Sequence, residues 1–161
     1  MHVIAIDLGS NTLRVLKYEC SSGKRLAEYE KIVRTANSLQ SKGIVDESAL
    51  DAILSGLKEA QKKIDFSGCK IRAVTTEALR AAKNAPEVLE LIKKGSGIDF
   101  EVIAPEVEAK LTLDAVKSRL EILGIKQNFV LVDIGGGSTE LSFYLNGQVI
   151  TQSFRLGIVT V

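Results

Sequence analysis

The sequence predicts an α/β fold, a mixed sheet flanked by helices, followed by the opening strands of a second, similar unit. Three observations carry that expectation. Strand-like apolar runs alternate with stretches of helical periodicity through residues 1–124. A strand, an Asp, a glycine turn, small polar residues and a second strand occur twice, around Asp7 and again around Asp133. With 161 residues, 45% of them hydrophobic and 25% charged, the chain has length for one real core and little more.

The elements follow in order. Val3 to Asp7 and Leu13 to Tyr18 are apolar enough for strands, and Ser22-Gly23-Lys24 is a turn opening a third. Residues 34–43 form a polar connection containing Ser and Gly. Asp46 can cap a helix over residues 48–64, in which Leu50, Ile53, Leu54, Leu57 and Ile64 recur at helical spacing and face inward. Residues 69–74 alternate as a strand, residues 76–83 form a short helix leaving its end, and Pro86 starts another over 87–93, closed by Gly95 and Gly97. Residues 100–103 read as a strand. Pro105 suits a first helical turn and opens a helix over 106–123 ahead of Gly124. Residues 124–128 are too short for a linker and read as a hinge. Val130 to Ile134 is β-branched, carries one charge, Asp133, and reads as a strand buried on both faces. The turn Asn146-Gly147-Gln148 then opens a third strand, as Ser22-Gly23-Lys24 does. The expected organisation is a unit over 1–124 and the incomplete start of a second over 125–161.

Chemistry concentrates in the two repeated turns. Gly135-Gly136-Gly137 favours neither strand nor helix, but it lets backbone N–H groups approach an anion closely. Gly9-Ser10-Asn11-Thr12 and Gly135 to Ser138-Thr139 are therefore candidate phosphate cradles, and two facing cradles would form a cleft. Asp133 and Glu140 flank the second turn, where two carboxylates beside phosphate make sense with a divalent cation between them. The alternative is a hairpin turn whose Asp and Ser satisfy backbone groups.

Between the turns, Glu106 and Glu108 lie in a helix's first turn, where the dipole alone accounts for both. Val107 and Leu111 are expected to be buried, which puts Glu108 at the margin of the packed face. Arg80 and Asn84 are four apart on a short helix, so Arg80 reads as a phosphate fork or as a solvated arginine. Arg14 reads equally as a phosphate ligand or a strand-face charge. A net charge of +1 gives no bulk attraction to nucleic acid or membrane. No apolar run reaches the roughly 20 residues of a membrane span, and the N-terminus enters a strand directly, so a cytoplasmic protein is expected. Cys20 and Cys69 form neither a disulfide framework nor a zinc site, and His2 is incidental.

Asp7-Leu-Gly-Ser-Asn-Thr12, Thr75-Thr-Glu-Ala-Leu-Arg80-Ala-Ala-Lys-Asn84, Glu106-Val-Glu108-Ala and Asp133-Ile-Gly-Gly-Gly-Ser-Thr-Glu140 together resemble the exopolyphosphatase and guanosine pentaphosphate phosphohydrolase family, in its N-terminal portion. The resemblance implies an actin-like, ribonuclease H-like fold within the actin, Hsp70 and sugar kinase superfamily. It implies a Mg²⁺-dependent hydrolase releasing the terminal phosphate of polyphosphate or guanosine pentaphosphate. Glu108 then stands at the position of the catalytic glutamate, Arg80 at that of a phosphate-binding arginine, and Asp7, Asp133 and Glu140 hold the metal. Ala104-Pro105 and Lys110 depart from the family's usual Ser-Gly and Arg. An ATP-binding kinase or ATPase, an actin-like assembly module and an inactive fragment are the competing readings. The second meander would leave an apolar face and open edges, for which a homodimer through pairing or exchange of strands 129–161 is expected.

Overall fold

The computed structural model describes residues 1–125 and 127–158. Residue 126 and residues 159–161, which belong to the expected second unit, lie outside the described residues. The structure divides into two compact units, Met1–Val102 and one beginning at Ile103.

The first unit contains β1 (His2–Leu8), β2 (Thr12–Glu19), β3 (Lys24–Ile32), α1 (Leu39–Lys42), α2 (Glu47–Lys63), β4 (Lys70–Thr75), α3 (Glu77–Ala81), α4 (Ala85–Ser96) and β5 (Glu101–Val102). Its sheet has the order β3-β2-β1-β4-β5. β1, β2 and β3 form an antiparallel meander, while β4 joins β1 and β5 in parallel, as a helical crossover demands. Alternation sets the core: Ile4, Ile6 and Leu8 of β1 and Leu13 and Val15 of β2 are buried together with Ile53, Leu57 and Ala60 of α2 and Val88 and Ile92 of α4. Asp46 caps α2 by accepting from the Ala49 N–H at 2.9 Å. Gly43 and Gly97 close α1 and α4 in the left-handed conformation.

The second unit holds α5 (Pro105–Ile122) and the antiparallel sheet β6 (Phe129–Ile134), β7 (Thr139–Leu145), β8 (Gln148–Phe154), in that order. The Lys117 Nζ sits 4.7 Å over the Tyr144 ring, and Tyr144 stacks on Phe129 with centroids 5.1 Å apart.

Several expectations need correction. β5 is two residues, not four, and α1 was not expected. β6 is not buried on both faces: Phe129, Leu131 and Asp133 are half-buried, but Val130, Val132 and Ile134 are more than half exposed, since strand alternation needs a cover on each side. Val107 and Leu111 are exposed, and Ala109 and Leu113 are the buried residues of α5. α5 clusters with the second sheet, so the structural division falls ahead of it. No helix among the described residues is long and apolar enough to cross a membrane.

Candidate active site

In the first unit, chain direction brings the site elements to one end of the sheet. β1 ends there, β2 starts there, β3 and β4 end there, and α2 begins there. The β1–β2 turn closes through the Gly9 N–H on the Thr12 carbonyl at 3.0 Å. The Ser10 and Asn11 N–H groups find no acceptor among the described residues, which leaves two donors for an anion. Around the turn the structure is stapled. The Val33 and Arg34 N–H groups both donate to the Asn11 carbonyl (2.9 and 3.0 Å), Ala36 N–H donates to Ser10 (2.9 Å), and the Thr75 hydroxyl donates to Leu8 (2.8 Å).

Arg80, on α3 at the end of β4, is ion-paired with Glu77 at 3.1 Å, its side chain 15% exposed. That pairing orients a guanidinium on a helix of only five residues. Asn84 does not share its face. α3 ends at Ala81, and the Asn84 amide instead clasps the Val45 backbone, accepting from N–H at 3.0 Å and donating to the carbonyl at 2.8 Å. Arg14 pairs across the ladder with Glu30 at 3.1 Å, both side chains 60% exposed, which is the strand-face reading.

In the second unit the β6–β7 turn repeats the first: Gly135 N–H donates to the Ser138 carbonyl at 2.8 Å, and the Gly136 and Ser138 N–H groups have no acceptor among the described residues. Asp133 and Glu140 are ladder partners, so their carboxylates leave neighbouring strands on one face. Glu140 is only 3% exposed, accepts from the Ser153 hydroxyl at 2.8 Å, and forms no ion pair among the described residues. Buried carboxylates are normally matched by a cation, and opposed like charges repel, so this pair fits a hard divalent ion. Asp7, the third expected ligand, belongs to the first unit. Among the described residues no cluster of three or more His, Cys, Asp or Glu is present. The Thr139 hydroxyl is engaged by the Leu156 carbonyl, leaving its side chain occupied.

Glu108 lies in the first turn of α5, half-buried, its N–H donating to the Ala104 carbonyl at 3.0 Å. Pro105 occupies the first helical position, where its lost N–H costs nothing.

Sequence reasoning missed three residues. Gly157 packs against the second turn so closely that a Cβ there would stand 2.4 Å from the Gly136 carbonyl, while Ile158 N–H donates to Gly135 at 3.1 Å. A lone glycine after a strand was the available signal. Arg34 has a φ of 50°, and the neighbouring Thr35 hydroxyl is buried without a partner among the described residues; neither has a sequence signature.

A model of the Ppx/GppA phosphatase family matches residues 18–161. The chain belongs to this family. Exopolyphosphatase 1 of Mycobacterium tuberculosis is 31% identical over 147 residues, covering 88% of this chain and 42% of that protein. The solved Ppx-GppA enzyme of Aquifex aeolicus is 36% identical with a TM-score of 0.81, over 99% of this chain and 54% of that one. An exopolyphosphatase from Cytophaga hutchinsonii reaches a TM-score of 0.86 at 28% identity, over 98% and 51%. Ppx/GppA membership agrees with the actin-like fold expected above, a mixed sheet flanked by helices and joined by a separate antiparallel sheet. The chain spans about half the length of the Ppx/GppA relatives it matches. The first glycine turn precedes the residues matched by the family model, and the structural likeness extends over it.

Proposed function

We propose that this chain is the phosphate-gripping part of a cytoplasmic, Mg²⁺-dependent phosphohydrolase that removes the terminal phosphate of inorganic polyphosphate or guanosine pentaphosphate. The observation that carries the reading is the duplicated turn, each copy preceded by an Asp and each closed by the same Gly-to-i+3 hydrogen bond, in a Ppx/GppA chain. In each turn, Gly9 to Thr12 and Gly135 to Thr139, the backbone shapes an anion site, and the unpaired N–H groups take phosphoryl oxygens. Arg80, oriented by Glu77, offers its planar fork to further oxygens. Asp7, Asp133 and Glu140 would hold Mg²⁺, directly or through water. When bound, the ion supplies neutralisation of phosphoryl charge. Glu108 accepts a proton from the water whose oxygen attacks the terminal phosphorus. The bridging P–O bond then breaks, and phosphate leaves a chain shorter by one unit.

The test is phosphate release from tripolyphosphate and from guanosine pentaphosphate by the complete protein. Glu108→Ala should lower kcat by about 10²- to 10⁴-fold while substrate binding persists, and an unchanged kcat removes Glu108 from the scheme. The proposed protein partner is a second copy. β6 and β8 are both edges of their sheet, and Val130, Val132, Ile134, Phe143 and Ile150 leave an apolar face exposed. Sedimentation velocity should show a dimer; a monomer throughout the micromolar range counts against it.

A further inference from the structure

β3 ends at Ile32, and the next residues alternate sharply between core and solvent: Val33 and Thr35 are 2% and 0% exposed, whereas Arg34 between them is exposed. The anchors fix Arg34 in place. Its own N–H and that of Val33 converge on the Asn11 carbonyl, so its Cα is tied to the very turn that carries the two unpaired amides. Its φ of 50° lies in the left-handed region, where a β-carbon is strained and glycine or asparagine is the low-cost choice. An arginine in such a position needs a reason, because strained non-glycine residues concentrate where function holds them.

The fold supplies no partner that would explain it. The guanidinium makes no hydrogen bond and no ion pair among the described residues. Asp46 lines the same hollow of about 340 Å³ as Arg34. One Asp46 oxygen accepts from the Ser38 hydroxyl and the other from the Ala49 N–H, and no ion pair joins Asp46 to Arg34 among the described residues. Asp46 thus serves the start of α2, and Arg34 keeps five uncommitted donors on a segment whose backbone is bound to the first turn.

We propose that Arg34 is a substrate-positioning residue: strapped to the Gly9–Thr12 turn, its guanidinium holds a non-reacting phosphoryl group of the phosphate chain, next to the one taken by the turn amides. This rests on the phosphohydrolase reading above and adds to it a second phosphate position along the chain. It touches no reacting atom, so its loss weakens binding and spares the chemical step.

Arg34→Gly separates this role from a structural one, because glycine relieves the backbone strain while removing the charge. In the complete protein, Arg34→Gly should melt no lower than wild type. Its KM for tripolyphosphate should rise by roughly tenfold with kcat within about twofold, the loss expected for one charge-assisted contact. Arg34→Lys, which keeps the charge but not the fork, should fall between. An Arg34→Gly protein that melts as wild type and keeps the wild-type KM overturns the proposal alone. A wild-type protein that releases no phosphate from any phosphate chain overturns the parent reading, and this one with it.

Discussion

In the first meander Ile4, Ile6 and Leu8 are at most 1% exposed, whereas Val130, Val132 and Ile134, which hold the same places before the second turn, are 52, 53 and 60% exposed. The turns themselves scarcely differ, closing at 3.0 and 2.8 Å between equivalent atoms. A glycine turn is thus a local object, set by the few residues that make it, while burial depends on what lies over the strand. A second difference is chemical. The ladder partner of Asp7 is Arg14, and that of Asp133 is Glu140, so the first copy opposes an acid with a base and the second opposes two acids.

The comparison breaks most easily at Gly157. Gly157→Ala forces a Cβ into the Gly136 backbone, for which no flexible side chain can yield. The variant should lose about 3 kcal/mol of stability by denaturant titration, with the second turn deformed. Gly56→Ala is the control in the first unit. It meets side-chain atoms of Leu13 at 2.9 Å and Lys31 at 3.3 Å, so repacking should confine its cost to about 1 kcal/mol. Equal losses would show that the second turn yields as readily as a side chain.

The charge difference predicts a smaller effect. Glu140→Gln removes one of two opposed carboxylates, and without divalent ions it should raise stability by about 1 kcal/mol. It should also abolish most of the melting-temperature increase that Mg²⁺ gives the wild type. A wild-type midpoint indifferent to Mg²⁺ would remove this pair from the metal site.

The smallest effect belongs to the contact between the first meander and α2, where Tyr29 and Lys31 of β3 meet Glu59. Glu59 is held down to about 2 by hydrogen bonds from Lys31, Tyr29 and Ser55. Burial, helped by the hydrogen bond to Glu59, raises Tyr29 to about 12. A depressed carboxylate stabilises above its unfolded value of 4.5, so this contribution should vanish as pH falls from 4.5 towards 2. The raised phenol acts in the opposite sense, its contribution present below its ordinary value of 10.0 and lost as pH climbs from there towards 12. Comparing pH titrations of the wild type with Glu59→Gln isolates the acid window, and with Tyr29→Phe the alkaline one, where burial is the larger cause.

Element order and both turns were legible because each depends on nearby residues: Asp46 and Pro105 at helix starts, Gly9 and Gly135 at turns, alternation in β1. What depends on distant partners was not. Val107 and Leu111 look like core residues by spacing, but α5 buries Ala109 and Leu113 instead. Asn84 sits four residues from Arg80, yet its amide serves Val45, which is remote in sequence. Gly157 meets Gly136 only because β8 returns the chain to the turn it left. Arg34 owes its backbone angle to a carbonyl on another hairpin.

The braces around the first turn also bear on how an anion would be received. Thr75 holds Leu8, Arg34 holds Asn11, Ala36 holds Ser10, Lys83 N–H reaches the Gly43 carbonyl at 2.9 Å, and Asn84 grips Val45. Hydrogen bonds thus tie the turn to residues 33–36 and to Thr75, and separately join residues 43–45 to 83–84, so that part of the freedom a loose loop would surrender on capturing its guest is already given up during folding.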